Sequence, residues 1–129
     1  MQLAFADLVH YRGLVTMADG AFDPLHPGHI AYLHNARSFD LPLFVNLCPD
    51  TATALKHPVL LPAADRAHIL DALALVQYVH VADCDTAIVL EELRPRIYAK
   101  GDDWKDRLPV NHLSVCARHG IRIEYTGPC

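Results

Sequence analysis

The sequence has no apolar run long enough to cross a membrane, so no segment reads as a transmembrane helix. Its first residues, "MQLAFADLVHYR", lack a basic stretch ahead of an apolar one and do not read as a signal peptide. Basic residues are not in excess: 11 Lys and Arg against 15 Asp and Glu give a formal charge of -4. That balance argues against a nucleic-acid binder relying on bulk electrostatics, though not against a local pocket for a phosphorylated small molecule. The cysteines Cys48, Cys84, Cys116 and Cys129 are widely spread and form no C-x-x-C pair. Neither a zinc site nor a disulfide framework follows, and free thiols in a reducing cytoplasm are expected. Repeats, low-complexity segments and linkers are also missing. What remains is a chain of 129 residues, 52% hydrophobic and 20% charged, in the range of one compact soluble domain.

Short apolar runs alternate with helical patterns along the chain. Leu3, Phe5, Leu8 and Val9 fit a short amphipathic helix that Gly13 would stop. Strands are expected near 14–18, 43–48, 78–81, 96–99 and 121–125; "LVTMA" is short and mostly apolar, the mark of a strand buried on both faces, and "LPLFVNLC" supplies a second buried strand. Between them, "HIAYLHNAR" places Ile30, Leu33 and Ala36 on one helical face. Residues 49–61 read as a long loop, and "PAADRAHILDALALV" as a helix with Pro62 in its first turn. "DTAIVLEEL" and "PVNHLSVCARHG" read as further helices, with the polar loop "KGDDWKDR" between them. The alternation implies an α/β fold, a Rossmann-like doubly wound five-stranded parallel sheet with helices on both faces. Ligands bind such sheets outside the carboxyl ends of the strands, where the strand order reverses. "GAFDPLHPGHI" ends the first strand and "KGDDWK" ends the fourth, so both fall on that rim.

The first rim segment has the composition of an anion site. A helix start offers unpaired N–H groups and the positive end of the dipole. Gly20 and Gly28 let backbone approach a ligand closely. His26 and His29 at i, i+3 can donate to phosphate oxygens and balance charge that builds during transfer. Among 9 histidines a close pair also arises by chance. A zinc site would need further ligands, which His34 alone does not supply.

"GAFDPLHPGH" closely resembles the H-x-G-H signature of the cytidylyltransferase-like nucleotidyltransferases. "DRAHILDALALVQYV" is similar to that family's arginine-bearing helix. "DTAIVLEELRPRIYAKGDDWK" resembles the matching segment of heptose 1-phosphate adenylyltransferases, and "GDDW" also resembles glycerol-3-phosphate cytidylyltransferases. The resemblance implies transfer of a nucleoside monophosphate from ATP or CTP to a sugar- or polyol-phosphate, with pyrophosphate released. It implies His26, His29 and Lys56 as catalytic groups. It implies Gly20, Ala21, Phe22, Asp23, His26, Gly28, His29, Arg66 and Asp103 as nucleotide contacts, and Lys100, Asp102 and Trp104 as contacts to the acceptor. No protein-held metal is implied, but Mg2+ is expected with the triphosphate. So are a nucleoside triphosphate and a phosphorylated acceptor as partners, no nucleic acid, no membrane, and a homodimer. Plainer roles compete. Lys56 can be a solvated loop lysine, Arg66 a surface partner of Asp65 or Asp71, and Trp104 a cap over the last helix.

Departures from the family pattern bear on function. Ala74 stands where an arginine is usual, and Gln77 where an aspartate is usual. The family follows its fifth strand with a Ser/Thr-rich segment opening a final helix, whereas here "EYTGPC" follows, and Thr126 and Gly127 come too early to replace it. The core should fold without that helix. The triphosphate cradle should be incomplete, so weak nucleotide binding and slow or absent turnover are expected of these 129 residues. A nucleotide-binding module without turnover and a histidine-based metal binder are the other two functions considered.

Overall fold

A computed structural model of the chain describes residues 1–127. The strands β1 (Thr16–Gly20), β2 (Leu43–Leu47), β3 (Tyr78–Val81), β4 (Ile97–Lys100) and β5 (Arg122–Tyr125) form one sheet in the order β3-β2-β1-β4-β5. Every pairing is parallel. The helices α1 (Pro27–Arg37), α2 (Asp50–Thr53), α3 (Ala63–Asp71), α4 (Thr86–Leu93) and α5 (Val110–His119) connect them. The expected Rossmann-like doubly wound sheet is therefore the observed one. Its register starts from Thr16 opposite Leu43 on one side and Ile97 on the other.

Strand periodicity divides the core between the two faces. Met17, Phe44 and Tyr98 point to one side, where Leu8, Leu90 from α4 and Val115 from α5 cover them. Ala18, Val45 and Ala99 point to the other, under Leu33 and Ala36 from α1 and Ala67 and Leu70 from α3. At about 25 cal/mol per Å² of apolar surface, this two-sided burial is the main stabilising contribution. It explains why the inner strand β2 reads as a nearly continuous apolar run, whereas the edge strand β5 alternates.

Several boundaries differ from the sequence reading. β1 begins at Thr16, because Leu14 closes a turn onto the Tyr11 carbonyl and is 57% exposed. The first helix is a 3-10 helix, Phe5–Tyr11, that buries Leu8. Ahead of it Gln2 bridges Val79 in parallel, extending the β3 edge. The loop over 49–61 contains the short helix α2. α3 stops at Asp71 rather than running to Val76, and Leu73 and Val76 pack into the core from turns. On α1 the buried residues are Tyr32, Leu33 and Ala36, with Ile30 only half-buried. Gly120 caps α5 at φ 65, a left-handed backbone that glycine adopts without strain, and turns the chain directly into β5. Cys48, Cys84 and Cys116 are unpaired, and Cys129 lies outside the described residues.

The chain winds outward from β1 through β2 to β3, then returns to place β4 and β5 on the other side. The strand order therefore reverses between β1 and β4. The ends of these strands, Gly20 and Lys100, open into a common cleft.

Candidate active site

The cleft has a volume of about 340 Å³. On one wall stands the loop between β1 and α1. His26 caps α1: its Nδ1 accepts the Gly28 N–H at 3.1 Å, and the His29 Nδ1 accepts the His26 N–H at 3.3 Å. The rings stack with centroids 3.7 Å apart. Each Nδ1 is committed as an acceptor, so in the neutral rings the proton lies on Nε2. Burial, and then the neighbouring His26, lowers the His29 pKa. The backbone caps therefore leave the Nε2–H of each ring as the donor that can face a ligand. Phe22, on a left-handed backbone with φ 49, sets its ring edge-on to His29 at 5.0 Å. A Cβ at Gly20 would lie 3.2 Å from the Phe22 ring, so the glycine gives that ring its room.

Behind the loop lies a polar clamp. Asp23, 7% exposed, accepts the N–H groups of Leu60 and Leu61, both at 2.8 Å. Burial pushes its carboxyl up, but those two bonds and the Arg66 charge outweigh burial and hold it below the usual range. The Arg66 side chain is fully buried. It donates to the carbonyls of Leu61 at 2.8 Å, Ala21 at 2.7 Å and Cys48 at 3.1 Å, and to Asp50 at 2.6 Å. Arg66 thus joins the ends of β1 and β2 to the start of α3. It is no surface partner of Asp65 or Asp71, and neither Arg66 nor Asp23 lines the cleft.

The floor is an ion pair. Asp19 accepts Lys100 Nζ at 2.7 Å and the Tyr98 hydroxyl at 2.7 Å, and both charged side chains are about one-tenth exposed. Burial first, and then Asp19, pushes the Tyr98 hydroxyl well above its usual value, so it stays protonated as a donor. The Lys100 ammonium also lies over the Trp104 ring, 4.3 Å from its centroid. Tyr32 reaches across from α1 to donate to the Ala99 carbonyl at 2.6 Å. Thr126 donates its N–H to the Lys100 carbonyl at 2.8 Å, and its own carbonyl accepts from Asn35 on α1.

Among the residues singled out in the sequence, Gly20, Phe22, His29, Lys56, Lys100, Asp103 and Trp104 line the cleft. His26 stands at its edge, facing an adjoining groove with Leu25, Pro27 and Ile30. Ala21, Gly28 and Asp102 contribute backbone: a carbonyl to Arg66, an N–H to His26, and an N–H to the Gly127 carbonyl. Trp104, at 36% exposure, borders the cleft rather than only capping α5. Sequence reasoning missed Asp19, Tyr32, Tyr98, Thr86 and His112, which also line it. Asp19, directly before Gly20 at a strand end, carried a usable signal, whereas Tyr98 inside an apolar strand carried none. Ala74 is exposed and away from the cleft, so the arginine missing there leaves no gap in its wall. Gln77 accepts the Leu43 N–H at 2.7 Å and donates to the Ala74 carbonyl at 3.2 Å, a structural role at the start of β2.

A switch-point cleft walled by a helix start places the chain in the doubly wound α/β class that binds ligands beyond the carboxyl ends of its strands. The chain belongs to the Cytidylyltransferase-like family, whose profile matches residues 17–122. Its relatives include the bifunctional protein HldE of Geobacter sulfurreducens, 42% identical over 115 residues, 85% of this chain and 23% of that one. HldE of Citrifermentans bemidjiense is 40% identical over 121 residues, 89% of this chain and 24% of that one. The chain thus spans about a quarter of the length of these relatives. A lipopolysaccharide core biosynthesis protein from Thermoplasma volcanium shares the fold, with a TM-score of 0.72 at 24% identity, covering 90% of this chain and 96% of that structure.

Proposed function

We propose that this domain transfers a nucleoside monophosphate from ATP to a sugar phosphate, in the manner of a heptose 1-phosphate adenylyltransferase. The observation that carries the reading is the pair His26 and His29, held with each Nδ1 accepting a backbone N–H so that each Nε2–H points outward, His29 in the cleft wall and His26 in the adjoining groove. A phosphate oxygen of the acceptor attacks the α-phosphorus, the bond from that phosphorus to the oxygen bridging the β-phosphate breaks, and pyrophosphate leaves with those electrons. The acceptor phosphate is already anionic near neutral pH, so no strong general base is required. Positioning, and donors aimed at the growing charge, supply the acceleration. In this reading His29 and His26 donate to the phosphates, Lys56 meets them from the rim, and Trp104 and Asp103 border the ligand.

Mg2+ would enter on the triphosphate. Among the described residues no three His, Cys, Asp or Glu side chains are grouped to hold an ion. Of the carboxylates lining the cleft, Asp19 is engaged by Lys100 and Tyr98, and Asp103 stands where it would face the ion's water shell. That fits Mg2+, which keeps several waters and binds through substrate phosphates with few protein ligands. Bound there, it would offset charge on the triphosphate. Unpaired thiols at Cys48, Cys84 and Cys116 support a cytoplasmic setting. A homodimer belongs to the same reading, and sedimentation velocity tests it.

Binding without turnover is the second reading. The inward-facing Arg66 and the Asp19-neutralised Lys100 favour it, because both cations are already engaged. Pyrophosphate release with ATP or CTP over heptose 1-phosphate and glycerol 3-phosphate decides between them. Slow release with ATP and heptose 1-phosphate is expected. Nucleotide binding with no release under any pairing would establish the second reading.

A further inference from the structure

Two lysines line the cleft, and they are held differently. Lys56, on the rim loop after α2, is exposed, and none of the ion pairs among the described residues includes it. Lys100, at the end of β4, lies nearly buried on the floor. Its ammonium meets Asp19 Oδ1 at 2.7 Å, the Trp104 ring at 4.3 Å from the centroid and the Tyr98 ring at 5.8 Å. The other carboxylate oxygen of Asp19 accepts the Tyr98 hydroxyl at 2.7 Å. The backbone under both charges is fixed as well. The Asp19 N–H donates to the Tyr32 hydroxyl at 3.2 Å, and that hydroxyl donates to the Ala99 carbonyl at 2.6 Å, next to Lys100. The pair is therefore built into the ends of β1 and β4 and is not a chance meeting of mobile side chains.

An unpaired lysine at the bottom of a concave site gathers anions, because low-dielectric walls focus its field. Lys100 already has its anion within the chain. The Asp19 carboxylate holds the place beside the ammonium that a phosphate oxygen would take. Its own charge repels a second anion at close range, where little water screens it. We infer that Asp19 determines where the phosphates of the ligand go: it keeps them off the floor, leaves them to Lys56 and His29 on the rim, and reserves the floor for an uncharged part of the ligand. This rests on the nucleotidyl-transfer reading for the ligand's identity, and adds the residue that sets its orientation. A contact from Lys100 to the acceptor is then one to a hydroxyl and not to the phosphate.

The test measures binding without turnover, by calorimetric titration and thermal shift with inorganic phosphate and with ATP. Asp19→Asn keeps the size of the side chain and removes its charge, which leaves Lys100 unpaired. Inorganic phosphate should bind that variant roughly ten-fold tighter than the wild type, the worth of one charge-assisted hydrogen bond, and should raise its Tm more. Asp19→Asn combined with Lys100→Met has a floor without charge. It should bind phosphate and ATP as the wild type does, and it carries the test if Asp19→Asn alone does not fold. Lys56→Met should weaken ATP binding about ten-fold. Unchanged phosphate affinity in folded Asp19→Asn overturns the inference. So does a roughly ten-fold loss of ATP affinity in the folded double variant, because Lys100 would then hold a phosphate in the wild type. Unchanged ATP affinity in Lys56→Met overturns the rim assignment. A wild-type protein that binds ATP but releases no pyrophosphate, or binds no ATP, overturns the transfer reading alone, and the phosphate titration of Asp19→Asn still decides this one.

Discussion

Replacing Arg66 by methionine should cost far more stability than a surface arginine could. The guanidinium is fully buried and spans the carbonyls of Ala21, Cys48 and Leu61 and the carboxylate of Asp50. Methionine fills much of the volume but leaves three carbonyls without their donor. Hydrogen bonds to a charged partner contribute about 1.5–3 kcal/mol each, and removing one member of a buried charged network costs about 3–5 kcal/mol. Asp50 is 49% exposed and regains water, which puts the expected loss near the lower bound, about 3 kcal/mol. For a domain of this size that corresponds to a fall in Tm of roughly 10 °C. Arg66→Lys keeps the charge but loses the planar fork, so an intermediate fall is expected. Urea and thermal unfolding by circular dichroism measure the loss, and calorimetric titration with ATP measures binding. A methionine variant with wild-type Tm but no ATP binding would refute the reasoning, because the guanidinium would then be meeting the nucleotide rather than the loop.

The remaining predictions concern the histidines and the floor of the cleft. His26→Ala and His29→Ala should each lower turnover by about 10²–10³, and because the two side chains cap the start of α1 each should also cost about 1 kcal/mol of stability; near-normal rates in the pyrophosphate assay would remove their role. Burial lowers the pKa of His29, aided by His26, and burial lowers that of His80 against an opposing pull from Asp83. The unfolded chain therefore takes up protons at these sites before the folded chain does. Stability is full above the ordinary histidine value of about 6.5 and is lost as pH falls through it towards the lowered folded values. His80→Leu should flatten the dependence of the urea midpoint between about pH 7 and pH 5, and equal slopes in the two proteins would contradict this. Lys100→Met strands the Asp19 carboxylate in the floor and should cost about 3–5 kcal/mol by urea unfolding, whereas Asp19→Asn combined with Lys100→Met should recover a large part of it. Additive losses would show that the two charges do not stabilise one another.

Much of the fold was legible because it rests on local pattern. Short apolar runs separated by helical segments can bury both faces only as a parallel sheet between helix layers, and the five strands fall where those runs lie. The loop "GAFDPLHPGH" was equally legible, since its glycines and two histidines three residues apart fall between a strand end and a helix start. Only the tertiary structure decided how the charges pair. Asp19 and Lys100, separated by 81 positions, meet because β4 lies beside β1. Arg66 faces inward because the loop carbonyls gather around it, and His112 meets Asp85 because α5 packs against α4. A carboxylate at a strand end or an arginine on a helix has the same neighbours in sequence whether it faces water or a buried partner. Strand order and helix packing settle that difference, and no local periodicity contains them.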